Sequence, residues 1–212
     1  MVVKGILILI AVYYDSIKDI PMQAKSYYYL GCIWRDKDKH PEALKEFFKA
    51  ITYSKKANDN KLTGYIYNNI ANIYLSQRLH EQADSIYQIT EKLAIQEKDS
   101  NLWADVLSQR GMIDINRGKK YYDEAEQKIL TAFKISCHIA QKSMIAKTAY
   151  SLSLLYGRMN MGEKAVKFAK LNIINQDNPN VAYRDFLILG EAYYKVSQYD
   201  SASIFLNKSL YS

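Results

Sequence analysis

Three histidines and two cysteines are the side chains of this 212-residue chain best suited to nucleophilic or metal chemistry. His40 and His80 stand 40 residues apart, with no Cys beside either, which matches no zinc-ligand spacing. Cys32 and Cys137 form no C-x-x-C and are too few for a disulfide framework or a zinc ribbon. His138 adjoins Cys137, but a Cys–His dyad needs nearness in space rather than in sequence. G-x-S-x-G, Walker A, G-x-G-x-x-G and H-E-x-x-H do not occur. Acid pairs such as Glu42 and Glu46 read as helix surface charge. The residues therefore predict no catalytic group, no metal ligand and no cofactor: not an enzyme. What remains is recognition. Asn68 and Asn72 are four apart and share one helix face. Each amide donates and accepts, which suits the backbone of an extended peptide. Asn is a mediocre helix former, so two on one face call for a compensating role.

The elements that position these residues come from a repeat. SYYYLGCIW (26–34), YNNIANIY (67–74), LSQRGMID (107–114), AYSLSLLY (149–156) and FLILGEAY (186–193) align on Gly31, Ala71, Gly111, Ser153 and Gly190. A second small residue follows twelve positions later at Ala43, Ala83, Ala165 and Ala202, and fourteen later at Ala125. Each unit thus has two apolar stretches of helical period joined by a polar turn. Two helices pack closely only where small side chains meet at the crossing. Gly31 and Ala43 serve that role in the first unit, surrounded by Tyr27, Leu30, Trp34 and Phe47. One unit cannot bury its apolar face alone, so units must stack. Only 8 Gly and 3 Pro argue against a loop-rich β fold. Pro41 would open a second helix, whereas Pro21 and Pro179 fall in links between units.

This pattern resembles the tetratricopeptide repeat (TPR). The first unit carries its full signature in Tyr27, Leu30-Gly31, Trp34, Ala43, Phe47 and Ala50; the third departs from it, with Asp114 where an aromatic is expected. The resemblance implies an all-α fold, a right-handed α-solenoid of stacked antiparallel helix pairs. Five repeats are expected, at about 24–62, 64–101, 104–143, 146–178 and 183–212, in a single solenoid domain. Residues 1–20 would be the second helix of an incomplete repeat. The long period resembles kinesin-light-chain-like proteins and the sensory repeats of Bacteroidetes regulators. That implies a flanking membrane helix and a DNA-binding or kinase module in a longer protein. The compartment would be cytoplasmic by default, or periplasmic in a membrane-anchored regulator.

In such a solenoid the first helix of each repeat lines the concave groove. Counting along these helices, the exposed inward positions are Lys25, Tyr28, Cys32 and Arg35, then Tyr65, Asn68, Asn72 and Leu75. Asp105, Ser108, Met112 and Ile115 follow, and then Lys147, Tyr150, Leu154, Arg184, Leu187, Glu191 and Tyr194. Lys25, Tyr28, Arg35, Tyr65, Asn68, Asn72, Lys147 and Tyr150 are the candidate contacts for a protein or peptide ligand. The family's carboxylate clamp uses a Lys and an Asn four apart in the first unit. Tyr28 and Cys32 occupy those places, so the clamp is not reproduced.

The net charge of +7 is uneven: residues 1–106 contribute +1 and residues 107–212 contribute +6. The basic stretch from Lys128 to Lys170 offers an alternative, binding of a polyanion or nucleic acid. That reading ranks second, because no DNA-reading motif accompanies it. No segment has the ~18 apolar residues of a membrane span. The longest apolar run, Gly5–Tyr14 after Lys4, has the length of a leader's apolar region but no small-x-small site after it. It reads as a buried helix.

Overall fold

The computed structural model describes residues 2–176 and 183–210, with side chains from Ile6 onward. Pro179 lies outside the described residues. Among them are eleven α-helices and no strand: α1 Val2–Ser16, α2 Ile20–Arg35, α3 His40–Lys56, α4 Asn60–Ser76, α5 His80–Gln96, α6 Ser100–Arg117, α7 Tyr122–His138, α8 Lys142–Arg158, α9 Gly162–Ile174, α10 Tyr183–Lys195 and α11 Tyr199–Leu210. Consecutive helices pack in pairs, α2 on α3, α4 on α5, α8 on α9 and α10 on α11. Contacts divide the chain into two compact units, Met1–Leu102 and Trp103–Ser212.

Helix starts repeat every 40 residues. Asp19, Asp59 and Asp99 each accept a backbone N–H with their carboxylate, from Met22 at 3.1 Å, Leu62 at 2.9 Å and Leu102 at 3.0 Å. An N-cap carboxylate satisfies a helix-end donor that has no partner within the helix. Pro21, read above as a link residue, sits instead in the first turn of α2, where its missing N–H costs nothing. Helix ends repeat as well. Asp38, Asn58, Arg78 and Lys98 adopt left-handed φ of 55°, 54°, 61° and 53°. The next N–H then reaches back five residues, Lys39 to Trp34 and Asp59 to Ser54, both at 2.9 Å. That bond closes the last turn and offsets the cost of positive φ outside glycine. Short turns thus need almost no glycine.

The crossings fall at the aligned small residues. A Cβ on Gly31 would lie 2.5 Å from the Phe47 ring, and one on Gly111 would lie 2.4 Å from Ile129. Ala43, Phe47, Ala83, Tyr87, Ala125 and Ile129 are fully buried. Truncating a ring buried like Phe47 costs about 3–5 kcal/mol. Ser153 solves its crossing differently, donating its hydroxyl to the Ala165 carbonyl at 2.9 Å. Asp114, in the place of an aromatic, is 3% exposed. Its charge is met by Lys128 of α7 and by Arg117 at 3.2 Å.

α1 differs from the buried helix expected of it. It packs on α2 through Leu7 and Ala11 and through Asp15, which accepts from Gln23 at 2.9 Å and from the Tyr27 hydroxyl. Among its described side chains only Ala11 is buried; Leu9 is 70% exposed and Val12 60%. With α2 as its single partner among the described helices, one face is covered and the rest meets solvent. No helix of the described residues is long and apolar enough to cross a membrane.

Candidate functional site

Polar side chains tie the first helices of successive pairs to one another. In the first unit, Arg35 of α2 donates to Asn69 Oδ1 of α4. The Tyr65 hydroxyl of α4 donates to Asp99, the cap of α6, at 2.9 Å. In the second unit, Lys147 of α8 pairs with Asp105 of α6, and the Ser108 and Ser151 hydroxyls meet at 3.2 Å. Arg158 of α8 donates to the Ile115 carbonyl of α6 at 3.1 Å. From α10, Arg184 stacks over the Tyr150 ring of α8 at 4.8 Å, and Lys195 donates to the Gly157 carbonyl. Within each unit the first helices therefore lie side by side and form one polar, aromatic face.

The candidate residues take different parts on it. Lys25 is exposed. Tyr28 is half-buried, 6.2 Å from the Phe47 ring. Burial, with Cys32 beside it, pushes the Tyr28 phenol up to about 12. Burial also pushes up the Cys32 thiol, the opposite of what a nucleophilic cysteine needs. Arg35 is shared between Asp36 and Asn69. Asn69 is buried and donates to the Tyr65 carbonyl at 2.8 Å, so it joins α2 to α4. Asn72 accepts from the Tyr87 hydroxyl at 2.6 Å, which ties it to α5. Asn68, one helix turn away, is 8% exposed. Lys147 and Tyr150 are half-buried beside Asp105 and Arg184. Three positions expected to be exposed inward are buried: Asn68, and Ser108 and Ile115, which are both 0% accessible. α6 presses Ser108 on Ser151 and inserts Ile115 among Leu152 and Leu155.

Asp99, absent from the sequence reading, is held by both its neighbours and its helix. Burial works against its charge, but the Leu102 N–H, the Tyr65 hydroxyl and Lys61 at 3.5 Å outweigh that and hold the carboxyl below its ordinary value. Arg158 and Lys195 were also not singled out. Continuing the four-residue step from Tyr150 through Leu154 reaches Arg158.

The basic stretch is dispersed over three helices and partly neutralised. Lys128 and Lys147 have acid partners. Lys164 lies 4.0 Å from Glu126 and over the Tyr156 ring at 4.8 Å, and Lys170 lies over Tyr193 at 5.3 Å. His40 and His80 open α3 and α5. Among the described residues no three His, Cys, Asp or Glu side chains are grouped to hold a metal.

No family model and no curated protein sequence matches the chain. Solved structures do. BtubC (BKLC) from P. vanneervenii superposes with TM-score 0.75 at 15% identity, over 93% of this chain and 82% of that one. TPR-like repeats of a putative kinesin light chain from Podosopora anserina give 0.67 at 12%, over 88% and 92%. YrrB, a TPR protein with an unusual peptide-binding site, gives 0.58 at 13%, over 93% and 90%. At these identities the likeness speaks for the fold, and the fold is a TPR-like helical repeat.

Proposed function

We propose that this TPR-fold chain is a non-catalytic scaffold that binds protein or peptide segments on the faces that the first helices make within each of its two units. The observation that carries this reading is the side-by-side alignment of those helices. Arg35–Asn69, Lys147–Asp105 and Arg184–Tyr150 each join a first helix to the next one. Such a face presents a row of tyrosines and charges on rigid elements. Tyr offers contact area and a polar tip at little entropic cost. YrrB, of the same fold, has a peptide-binding site, which favours the reading by analogy of fold.

The ligand contacts proposed are Lys25, Tyr28, Arg35, Tyr65, Asn68 and Asn72 in the first unit, and Lys147 and Tyr150 in the second. The five repeats at 24–62, 64–101, 104–143, 146–178 and 183–212 are the proposed framework. The resemblance of YYLG and YNNIANIY to regulator sensory repeats favours an interaction role within a longer signalling protein. A peptide array probed with the intact chain tests the reading. Bound peptides should lose signal on Tyr28→Ala or Asn68→Ala, and keep it on Phe48→Ala, an exposed residue of α3. Equal binding by all variants would refute the assignment of the face.

A further inference from the structure

The C-terminal halves of α8 and α10 are separated by a cavity of about 280 Å³. Leu154, Ile188 and Ala192 line its apolar walls, and Arg158, Glu191 and Lys195 stand at its rim. Deeper in, the Ser153 hydroxyl is committed to the Ala165 carbonyl. The polar chemistry open to a ligand is therefore at the rim.

Gly157 is the unusual residue of this cavity. A Cβ at Gly31, Gly111 or Gly190 would strike a neighbouring side chain, but one at Gly157 would meet nothing within 4 Å. Gly157 is helical, with no left-handed φ to require glycine. Glycine inside a helix is less stable than alanine there. Neither packing nor backbone conformation calls for it. It lines the cavity without a side chain, and its carbonyl accepts from Lys195.

We infer that the α8–α10 cavity is a side-chain pocket of the peptide-binding face, and that it takes a glutamate from an extended acidic segment. The inference rests on the scaffold reading above. The volume, at the lower edge of the about 300–1,000 Å³ of sites for drug-sized ligands, has room for a single side chain. The apolar walls suit an aliphatic stem. Charge sets the sign: two cations, Arg158 and Lys195, face one acid, Glu191. Arg158 spends one of its donors on the Ile115 carbonyl, which holds the guanidinium in place while others of its five N–H groups stay available to a carboxylate.

The test is a two-dimensional NMR titration of the intact chain with three acetylated, amidated peptides, Ala-Leu-X-Leu-Ala, where X is Glu, Gln or Lys. The Glu peptide should shift the Gly157 and Ala192 amides saturably and bind about tenfold more tightly than the other two. Gly157→Leu should fill the pocket and abolish these shifts while the helical circular dichroism is retained. Arg158→Gln, which leaves the pocket open, should bring the Glu and Gln peptides within about twofold of each other. Equal or tighter binding of the Lys peptide, or undiminished binding of the Glu peptide to Gly157→Leu, overturns the pocket. If the Glu peptide survives Gly157→Leu but is lost on Tyr150→Ala, the pocket fails and the scaffold reading stands. If none of the three peptides shifts any amide of the first helices, the pocket is wrong; if the array also shows no loss on Tyr28→Ala, the scaffold reading fails with it.

Discussion

Gly111→Ala and Gly157→Ala make the same chemical change in first helices of one unit, and the structure separates their outcomes. Either substitution relieves the cost of glycine in a helix, about 0.8–1.0 kcal/mol. At Gly157 nothing opposes that gain, since the new methyl has no neighbour within 4 Å. At Gly111 the methyl would lie 2.4 Å from Ile129 Cγ1 and 3.3 Å from the Ala125 carbonyl. Ile129 is fully buried and cannot swing away, so the overpacking costs about 1–3 kcal/mol. Gly157→Ala should therefore stabilise by about 1 kcal/mol, and Gly111→Ala should be neutral or destabilising by up to about 2 kcal/mol. For a chain of this size each kcal/mol moves Tm by about 2–4 °C. Urea unfolding followed by circular dichroism, with m-values compared, reads the difference. Equal stabilisation by both substitutions would refute the claim that the small residues mark close helix crossings.

Asp59→Ala removes the cap of α4 and should cost about 1 kcal/mol in urea midpoint measurements, with Asp59→Asn largely sparing it. Lys128→Met leaves the Asp114 carboxylate buried with Arg117 alone, at a cost of about 1.5–3 kcal/mol; Asp114→Tyr in the same chain should recover most of the loss. The lowered Asp99 carboxyl predicts a sign in the acid limb. Its contribution is complete above the unfolded value near 4 and disappears as pH falls through the lower folded value. Stability measured from pH 7 to 3 should thus fall more steeply for the parent than for Asp99→Asn.

The crossings were legible because a helix crossing admits only small side chains, so Gly31, Ala71, Gly111, Ser153 and Gly190 repeat whatever surrounds them. The caps were equally periodic at Asp19, Asp59 and Asp99, yet a single Asp in a polar turn does not stand out from other turn residues. The left-handed residues were illegible for the same reason, since Asp38, Arg78 and Lys98 do duty usually given to glycine. Asp114 looked like a defect in its repeat. Its partner Lys128 lies on the following helix, and only packing shows the pairing. The face was partly legible. A four-residue step finds Lys147, Tyr150 and Leu154, but it cannot tell that α6 is pressed against its neighbours at Ser108 and Ile115. GILILIAVYY announced a helix with apolar surface, while hydropathy is silent on how many helices cover it. The pocket at Gly157 had no sequence signal, because glycine at a crossing and glycine at an opening look alike.

The most direct test of the scaffold reading is site-specific photocrosslinking of a peptide selected from the array. A benzophenone side chain placed at Tyr28 or Tyr150, on the first-helix face of its own unit, should capture the peptide in competition with unlabelled ligand. The same group at Phe48 or Lys167, on second helices, should not. Capture from the second-helix positions, with none at Tyr28 or Tyr150, would contradict the account.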